Sequence, residues 1–385
     1  MRVALPCICL SLCALFSPGG CGASPTDLAG TAGQGLHRKR SLQVESDEKP
    51  TVVVIATGGT IAGGGSGATD QFYTSGVATV DALIAAVPQA LELVNVEGVQ
   101  ATQLGSQWIN DTSMLIIYEA VKAAVDRENV TGVVITHGTD TLEETAYTLN
   151  LAVNTRKPIV VVGSMRSPTQ LGADGELNFY NAIAVASSPE AVGRGVLVVL
   201  NDQIHSGREA TKSNTVTAQT FESPMNSFIG TVFFGNIHFF HDAGSSVYKH
   251  TNASDLAGVL DGKTADELPL VVILYAHQNV KGFLVDAAVE NGAKGIVVAG
   301  VGNGNMSKEM EAALLEASKA GVVIVRATRT GSGAVNRPGE DAIDETLDSV
   351  AAETLSMPQD ARILLKLALI LTDDREQIQE WFNEY

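Results

Sequence analysis

The sequence predicts an α/β protein: a larger N-terminal domain built on a parallel sheet, followed by a smaller C-terminal α/β domain. Three observations point to it. From residue 51 onward, apolar and mostly β-branched runs of strand length alternate with helical patterns, the signature of βαβ units. A polar stretch rich in Gly, Ser and Asp, residues 242–267, interrupts that alternation, which then resumes. A length of 385 residues suits two domains with additional segments.

The strand-like runs of the first domain are Thr51 to Ala56, Gly132 to Thr136, Pro158 to Val162 and Gly195 to Leu200. Helical patterns lie among them at Thr79 to Ala86, Thr112 to Val125, Thr141 to Val153 and Asn178 to Ala186. Past the polar stretch come Leu268 to Tyr275, Gly295 to Gly300 and Val322 to Arg326, then two closing helices, the first opened by Pro358. The expected boundaries are residues 50–241 for the first domain, 242–267 for a linker and 268–385 for the second.

Composition narrows the function. Lys and Arg number 25 against 43 Asp and Glu. The first 40 residues carry four of those cations and one of those acids, leaving 21 against 42 in the remainder. A body this acidic repels nucleic acid and anionic membranes, and small-molecule chemistry suits it better. No internal run approaches the length of a membrane span. At the N-terminus, Arg2 precedes an apolar run from Val3 to Phe16 and then small residues through Ser24, the layout of a secretory signal, expected over residues 1–23. Residues 24–49 read as a flexible leader, in which Arg38-Lys39-Arg40 is either a processing site or a solvated charge cluster. The expected location is therefore secreted or periplasmic. Cys7, Cys9, Cys13 and Cys21 all fall in the signal, so the mature chain is expected to hold no disulfide.

Two strand ends carry chemistry. The run VVITHGTDTLEETA, residues 133–146, passes from a buried strand into hydroxyls and a carboxylate before a helix begins. Asp140 or Thr141 as helix cap is one explanation, with Glu143 and Glu144 favoured in the first turn. A reactive site is the other, since ligands of open α/β sheets settle at the carboxyl ends of strands. The first strand breaks in the same way at Thr57-Gly58-Gly59-Thr60, where glycines permit close backbone approach. This turn lacks the Lys-Ser/Thr of a phosphate loop, and nucleotide binding is the weaker reading. Thr60 and Thr139 thus present hydroxyls at two strand ends, and a threonine hydroxyl needs a neighbour to take its proton. Asp140 adjoins Thr139. Lys212, beyond the fourth strand, is by composition a surface lysine that gains interest from its place in the same domain.

The motifs ATGGTIAGG (56–64), GSQWIND (105–111), ITHGTDTLEETAY (135–147), LNFYNA (177–182), GREATKSNT (207–215), AGVGNGN (299–305) and the tail QIQEWFNEY stand in one order along the chain. With them the sequence resembles the bacterial-type L-asparaginases of the secreted class, over Thr51 to Tyr385. The resemblance implies hydrolysis of the side-chain amide of L-asparagine to L-aspartate and ammonia by acyl transfer through a threonine nucleophile, with neither metal nor organic cofactor. It gives the nucleophile's place to Thr60 and an assisting role to Tyr73, which alone reads as a surface loop aromatic. A phenol of pKa ~10 is neutral at pH 7, so Tyr73 is a relay rather than a free base. Thr139, Asp140 and Lys212 form a second set, and the order in which the two threonines act stays open. Ser106 and Gln107 are assigned to the substrate α-carboxylate and Asp140 to its α-ammonium.

His137 has the look of a general base, but the family's reaction uses none, and it reads as a packed, hydrogen-bonded residue. The resemblance further implies a homotetramer with intersubunit active sites, to which Asn305 and Glu340 of a neighbouring copy contribute. The stretch Gly331 to Met357 departs from the family pattern, DETLDSVAAETLS replacing a glycine- and aromatic-bearing segment. Two rivals accompany this reading. One is a dual glutaminase–asparaginase, since one methylene is worth only ~1–3 kcal/mol of discrimination. The other is a catalytically silent amino-acid-binding protein.

Overall fold

The computed structural model describes residues 49–69, 72–243, 254–355 and 357–385; the signal, the cysteines and nearly all of the leader lie outside them. The first domain is organised on β1 (Thr51–Gly58), β2 (Asn95–Leu104), β3 (Val130–Thr136), β4 (Ile159–Val162), β5 (Val196–Leu200) and β6 (Gln203–Ser206). A two-stranded ribbon, β7 (Thr211–Lys212) with β8 (Phe221–Glu222), stands apart from the main sheet, and β9 (Gly230–Phe233) and β10 (Asn236–Phe239) return to it. The eight-stranded order is β10-β9-β6-β5-β4-β3-β1-β2.

From β2 to β5 all pairings are parallel, as the alternation predicts, whereas β6, β9 and β10 extend the sheet antiparallel. The reversal occurs in two residues, Asn201 and Asp202, both at positive φ, the geometry of a tight hairpin. The apolar-run criterion passed over β2 because that strand, NVEGVQATQL, is polar and largely exposed at the sheet edge. By contrast β1 is buried on both faces: Val53 and Ile55 enter one core cluster, Val52 and Val54 the other.

Helices α1 (Val80–Ala86), α2 (Ala90–Leu93), α3 (Asp111–Val125), α4 (Leu142–Ala152) and α5 (Gly175–Ser187) cover the two faces. The second sheet is wholly parallel, β11 (Val271–Tyr275), β12 (Gly295–Gly300), β13 (Val323–Thr328) and β14 (Val350–Ala351). It is flanked by α6 (Phe283–Glu290), α7 (Lys308–Lys319), α8 (Ile343–Leu347), α9 (Pro358–Leu371) and α10 (Arg375–Glu384). One core cluster runs through both sheets, joining β1, β3, α3 and α4 to α9, α10, β12 and β13. The described end of the polar stretch is packed: Leu256 and Leu260 are buried, Gly258 donates its N–H to the Ala152 carbonyl, and Tyr118 donates its hydroxyl to Asp261.

Within the second domain Arg326 is fully buried. Its guanidinium pairs with Asp344 and donates to the carbonyls of Asn303 and Asn336. It thereby ties the turn before Asn305 to the loop that leads into Glu340.

Strand order fixes the site. The chain leaves β1 toward β2 on one side and leaves β3 toward β4 on the other, so the adjacent carboxyl ends of β1 and β3 are a topological switch point. Register pairs Ala56 with Thr136, and the two chain ends leave the sheet at the same level. They then touch. A Cβ on Gly59 would lie 2.2 Å from the Gly138 nitrogen, and Gly59 has φ +80°. Gly292 shares the positive φ (+83°) but has open space around it. Alanine at either position costs about 1–3 kcal/mol for the positive φ, and at Gly59 the ψ of −172° places the backbone in a region that is essentially glycine-only. Gly59→Ala adds a backbone clash and is expected to exceed Gly292→Ala by about 2 kcal/mol or more in urea unfolding; equal losses would show that the two strand ends are not in contact.

Candidate active site

A cavity of about 190 Å³ opens where β1 and β3 end. Its lining includes Thr60, Tyr73, Ser106, Gln107, Thr139, Asp140 and Lys212, so the first-domain residues that the resemblance assigns to catalysis or substrate binding arrive at one place. Asn305 and Glu340 are not among the lining residues.

Thr60 opens a single 3-10 turn, Thr60–Ala62, directly after the glycine pair. Its Oγ1 lies 2.6 Å from the Tyr73 hydroxyl. The loop that brings Tyr73 back is closed by paired N–H and carbonyl bonds between Gly64 and Thr74, and Gly76 donates to the Gly59 carbonyl. Gly63 makes room for the ring, since a Cβ there would meet Tyr73 Cδ2 at 2.9 Å. Tyr73 is 37% exposed and lines the cavity, so it is a surface aromatic and a lining residue at once. Consecutive glycines followed by the aromatic pair Phe72-Tyr73 were the available sequence signal, and that signal does not say which ring reaches the cavity.

The second hydroxyl has different company. Lys212 Nζ donates to Thr139 Oγ1 at 2.9 Å and to Asp140 Oδ1 at 2.7 Å. Lys212 does not directly follow β5, the fourth strand read from the sequence; the chain first returns along β6 and enters the β7–β8 ribbon. Ser106 Oγ accepts the Asp140 N–H at 3.1 Å, which leaves its own proton for another acceptor. The Ser106 carbonyl accepts from the Thr141 hydroxyl at 2.8 Å.

These bonds overturn the capping alternative. Thr141 stands at the N-cap of α4, but no side chain caps that helix. Asp140 turns to Lys212 and Thr141 to Ser106, because both side chains have partners in the site. Glu143 and Glu144 do occupy the first turn.

His137 is fully buried, its Nδ1 2.7 Å from the Gly138 carbonyl and its Nε2 2.9 Å from Thr145 Oγ1. Nδ1 therefore carries the hydrogen and Nε2 accepts from the threonine. Burial pushes the ring's pKa down from 6.5 to about 4, against the pull of the Gly138 carbonyl. A neutral ring with both nitrogens occupied is packing, as the family resemblance implied.

A larger cavity of about 400 Å³ lies behind the site between α3, α4 and α9. Its hydroxyls are spent: Thr141 on Ser106, Thr145 on His137, Thr148 on the Glu144 carbonyl. Aliphatic side chains such as Met114, Leu115 and Leu367 make up most of the rest, so it offers no free nucleophile. Among the described residues no group of three or more His, Cys, Asp or Glu is placed to hold a metal ion, and no helix is long and apolar enough to cross a membrane.

Residues 51–244 match the family model described as asparaginase, N-terminal, and residues 270–382 match the glutaminase/asparaginase C-terminal domain. The chain belongs to the asparaginase family. It is 44% identical to L-asparaginase 2 of Bacillus subtilis over 374 residues, 96% of each chain. It is 43% identical to the glutaminase-asparaginase of Pseudomonas fluorescens, over 90% of this chain and 94% of that one. Among solved structures it resembles the probable cytoplasmic L-asparaginase of Campylobacter jejuni, with a TM-score of 0.82 and 38% identity over 88% of this chain and all of that one. The two-sheet α/β architecture of this asparaginase is thus that of its family.

The depressed His137 pKa has a readable sign. Above pH 6.5 the ring is neutral whether the chain is folded or not. As pH falls toward 4 the unfolded chain binds a proton that the folded one refuses, costing roughly 3 kcal/mol of stability. His205, likewise lowered to about 4 by burial, acts in the same direction. In His137→Gln the fall in denaturation midpoint between pH 6.5 and 4.5 should be clearly shallower than in the wild type; an unchanged slope would show that His137 titrates normally.

Proposed function

We propose that this asparaginase hydrolyses the side-chain amide of L-asparagine through Thr60. The observation that carries the proposal is the pairing of each hydroxyl with its own proton partner in one small polar cavity: Thr60 with Tyr73, Thr139 with Lys212. As Thr60 Oγ1 bonds to the amide carbon, Tyr73 relays its proton, accepting it while releasing its own hydroxyl hydrogen toward the leaving nitrogen. The C–N bond breaks, ammonia departs, and a water oxygen then replaces Thr60 on the acyl carbon to release L-aspartate.

Thr139 accepts a hydrogen from Lys212, so its own hydroxyl hydrogen points to a carbonyl or a water. That supports giving Thr139 the orienting of the second step and Thr60 the attack. Ser106, with its proton unspent, and Gln107 take the α-carboxylate, and Asp140 takes the α-ammonium.

Asn305 and Glu340 do not line the cavity of their own chain, and we assign them to the site of a neighbouring copy in a homotetramer. Asp341 and Ala342, next to Glu340, hold positive φ without being glycine, a strain that collects at functional positions. The N-terminal signal remains our basis for export, and the substrate name of the Pseudomonas fluorescens relative keeps L-glutamine as a second substrate.

The test is steady-state ammonia release from both amides by the protein starting at Ser41. Thr60→Ala should lose at least about two orders of magnitude in kcat, and Tyr73→Phe about 10²-fold, with Thr139→Ala still forming an acyl adduct in a rapid quench. Undiminished turnover in Thr60→Ala would end the proposal, and tight asparagine binding without turnover in the wild type would support the silent binding protein. Light scattering that returns a monomer with full activity would remove the intersubunit roles.

A further inference from the structure

Lys212 reaches both Thr139 and Asp140, yet little of the main sheet holds it. It sits on β7, two residues long and paired only with β8, and an isolated two-stranded ribbon is marginal in water. Ser213 donates its N–H across the ribbon to the Thr220 carbonyl. In an antiparallel pair successive N–H groups face opposite ways, so the N–H of Lys212 points away from β8.

That N–H is taken by Glu143. Its Oε2 accepts it at 2.6 Å, and its Oε1 accepts from Gln359 Nε2 on α9 at 2.7 Å. A glutamate in the first turn of a helix gains from the dipole while remaining in water. Glu143 is instead buried, 8% exposed, although burying a carboxylate is costly unless hydrogen bonds repay it. The same short segment thus grips Lys212 twice. Asp140 holds its ammonium, and Glu143, three residues on, holds its backbone.

We propose that Glu143 is a positioning residue for Lys212, and that Gln359 makes this hold depend on the seating of α9 from the second domain. The proposal rests on the role given to Lys212 above. Glu143 is not itself a lining residue of the cavity, and its bond to the backbone of Lys212 is its link to the site. Losing it frees the ribbon to shift, and a displacement of about 1 Å in a reacting group is enough to cost ~10²-fold in rate.

The experiment compares kcat and KM for L-asparagine in the wild type, Glu143→Ala, Glu143→Gln, Lys212→Met and Glu143→Ala/Lys212→Met, each with its thermal midpoint. In Glu143→Ala, kcat should fall about 10- to 100-fold with KM within about 3-fold. Glu143→Gln keeps an oxygen for the Lys212 N–H and should recover most of that loss. In the Lys212→Met background, Glu143→Ala should cost less than about 2-fold more, as expected of one group acting through the other. Gln359→Leu leaves Glu143 in place and should lower kcat about 3-fold, which keeps the proposal testable if Glu143→Ala does not fold. Wild-type kcat in Glu143→Ala beside a crippled Lys212→Met would overturn the positioning role alone. So would a Gln variant as damaged as the Ala variant, or losses that multiply in the double variant. Full activity in Lys212→Met would overturn the reading beneath it.

Discussion

Gly59 and Gly138 meet backbone against backbone at the ends of two neighbouring parallel strands, and the rest of the site depends on that contact. A methyl group on Gly59 would fall inside the van der Waals radius of the facing peptide. Without it, Thr60 and Thr139, each the next residue along, reach the same small cavity. Parallel pairing of β1 with β3 sets both strand ends at one height, and the divergence of the chain beyond them leaves the crevice unfilled. The glycines belong to this approach rather than to a phosphate.

Around that contact the chain assembles two hydroxyl sites of different construction. Thr60 and its partner Tyr73 are thirteen residues apart and share one loop, closed by the Gly64–Thr74 pair and by the Gly76 N–H on the Gly59 carbonyl. Thr139, Asp140 and Lys212 combine a strand end with a ribbon from the far side of the domain, and Glu143 and Gln359 join that ribbon to the second domain. The ion pair of Lys212 with Asp140 is partly in water, the carboxylate side chain being 57% exposed, so its worth lies in geometry more than in stability. Beneath it His137 contributes shape and two hydrogen bonds without charge.

The legible parts of the sequence were those where one physical cause acts alone. Buried parallel strands must be apolar on both faces, so β1, β3, β4 and β5 declared themselves as continuous runs, while β2, with solvent on its edge, did not. The reversal at Asn201 and Asp202 carries no glycine and gave little warning that the sheet continues antiparallel. Thr60, Thr139 and Asp140 were found because strand ends are where ligands bind. Tyr73 needed the family resemblance, and Lys212, noticed from its place beyond a strand, needed it for a role: each reaches the cavity through a loop or ribbon whose closure depends on partners elsewhere in the chain. Asp140 and Thr141 looked like helix caps because local chemistry allows it; distant partners took both side chains instead.

In the second domain a single buried guanidinium does comparable work at a distance from the cavity. Arg326 holds the Asn303 and Asn336 carbonyls and the Asp344 carboxylate at once, and Asn336 also donates its N–H to the Asn303 side chain. The segments bearing Asn305 and Glu340 are therefore riveted together. A shift of one segment is passed to the other through shared hydrogen bonds, and the two side chains owe their relative placement to contacts made by neither of them.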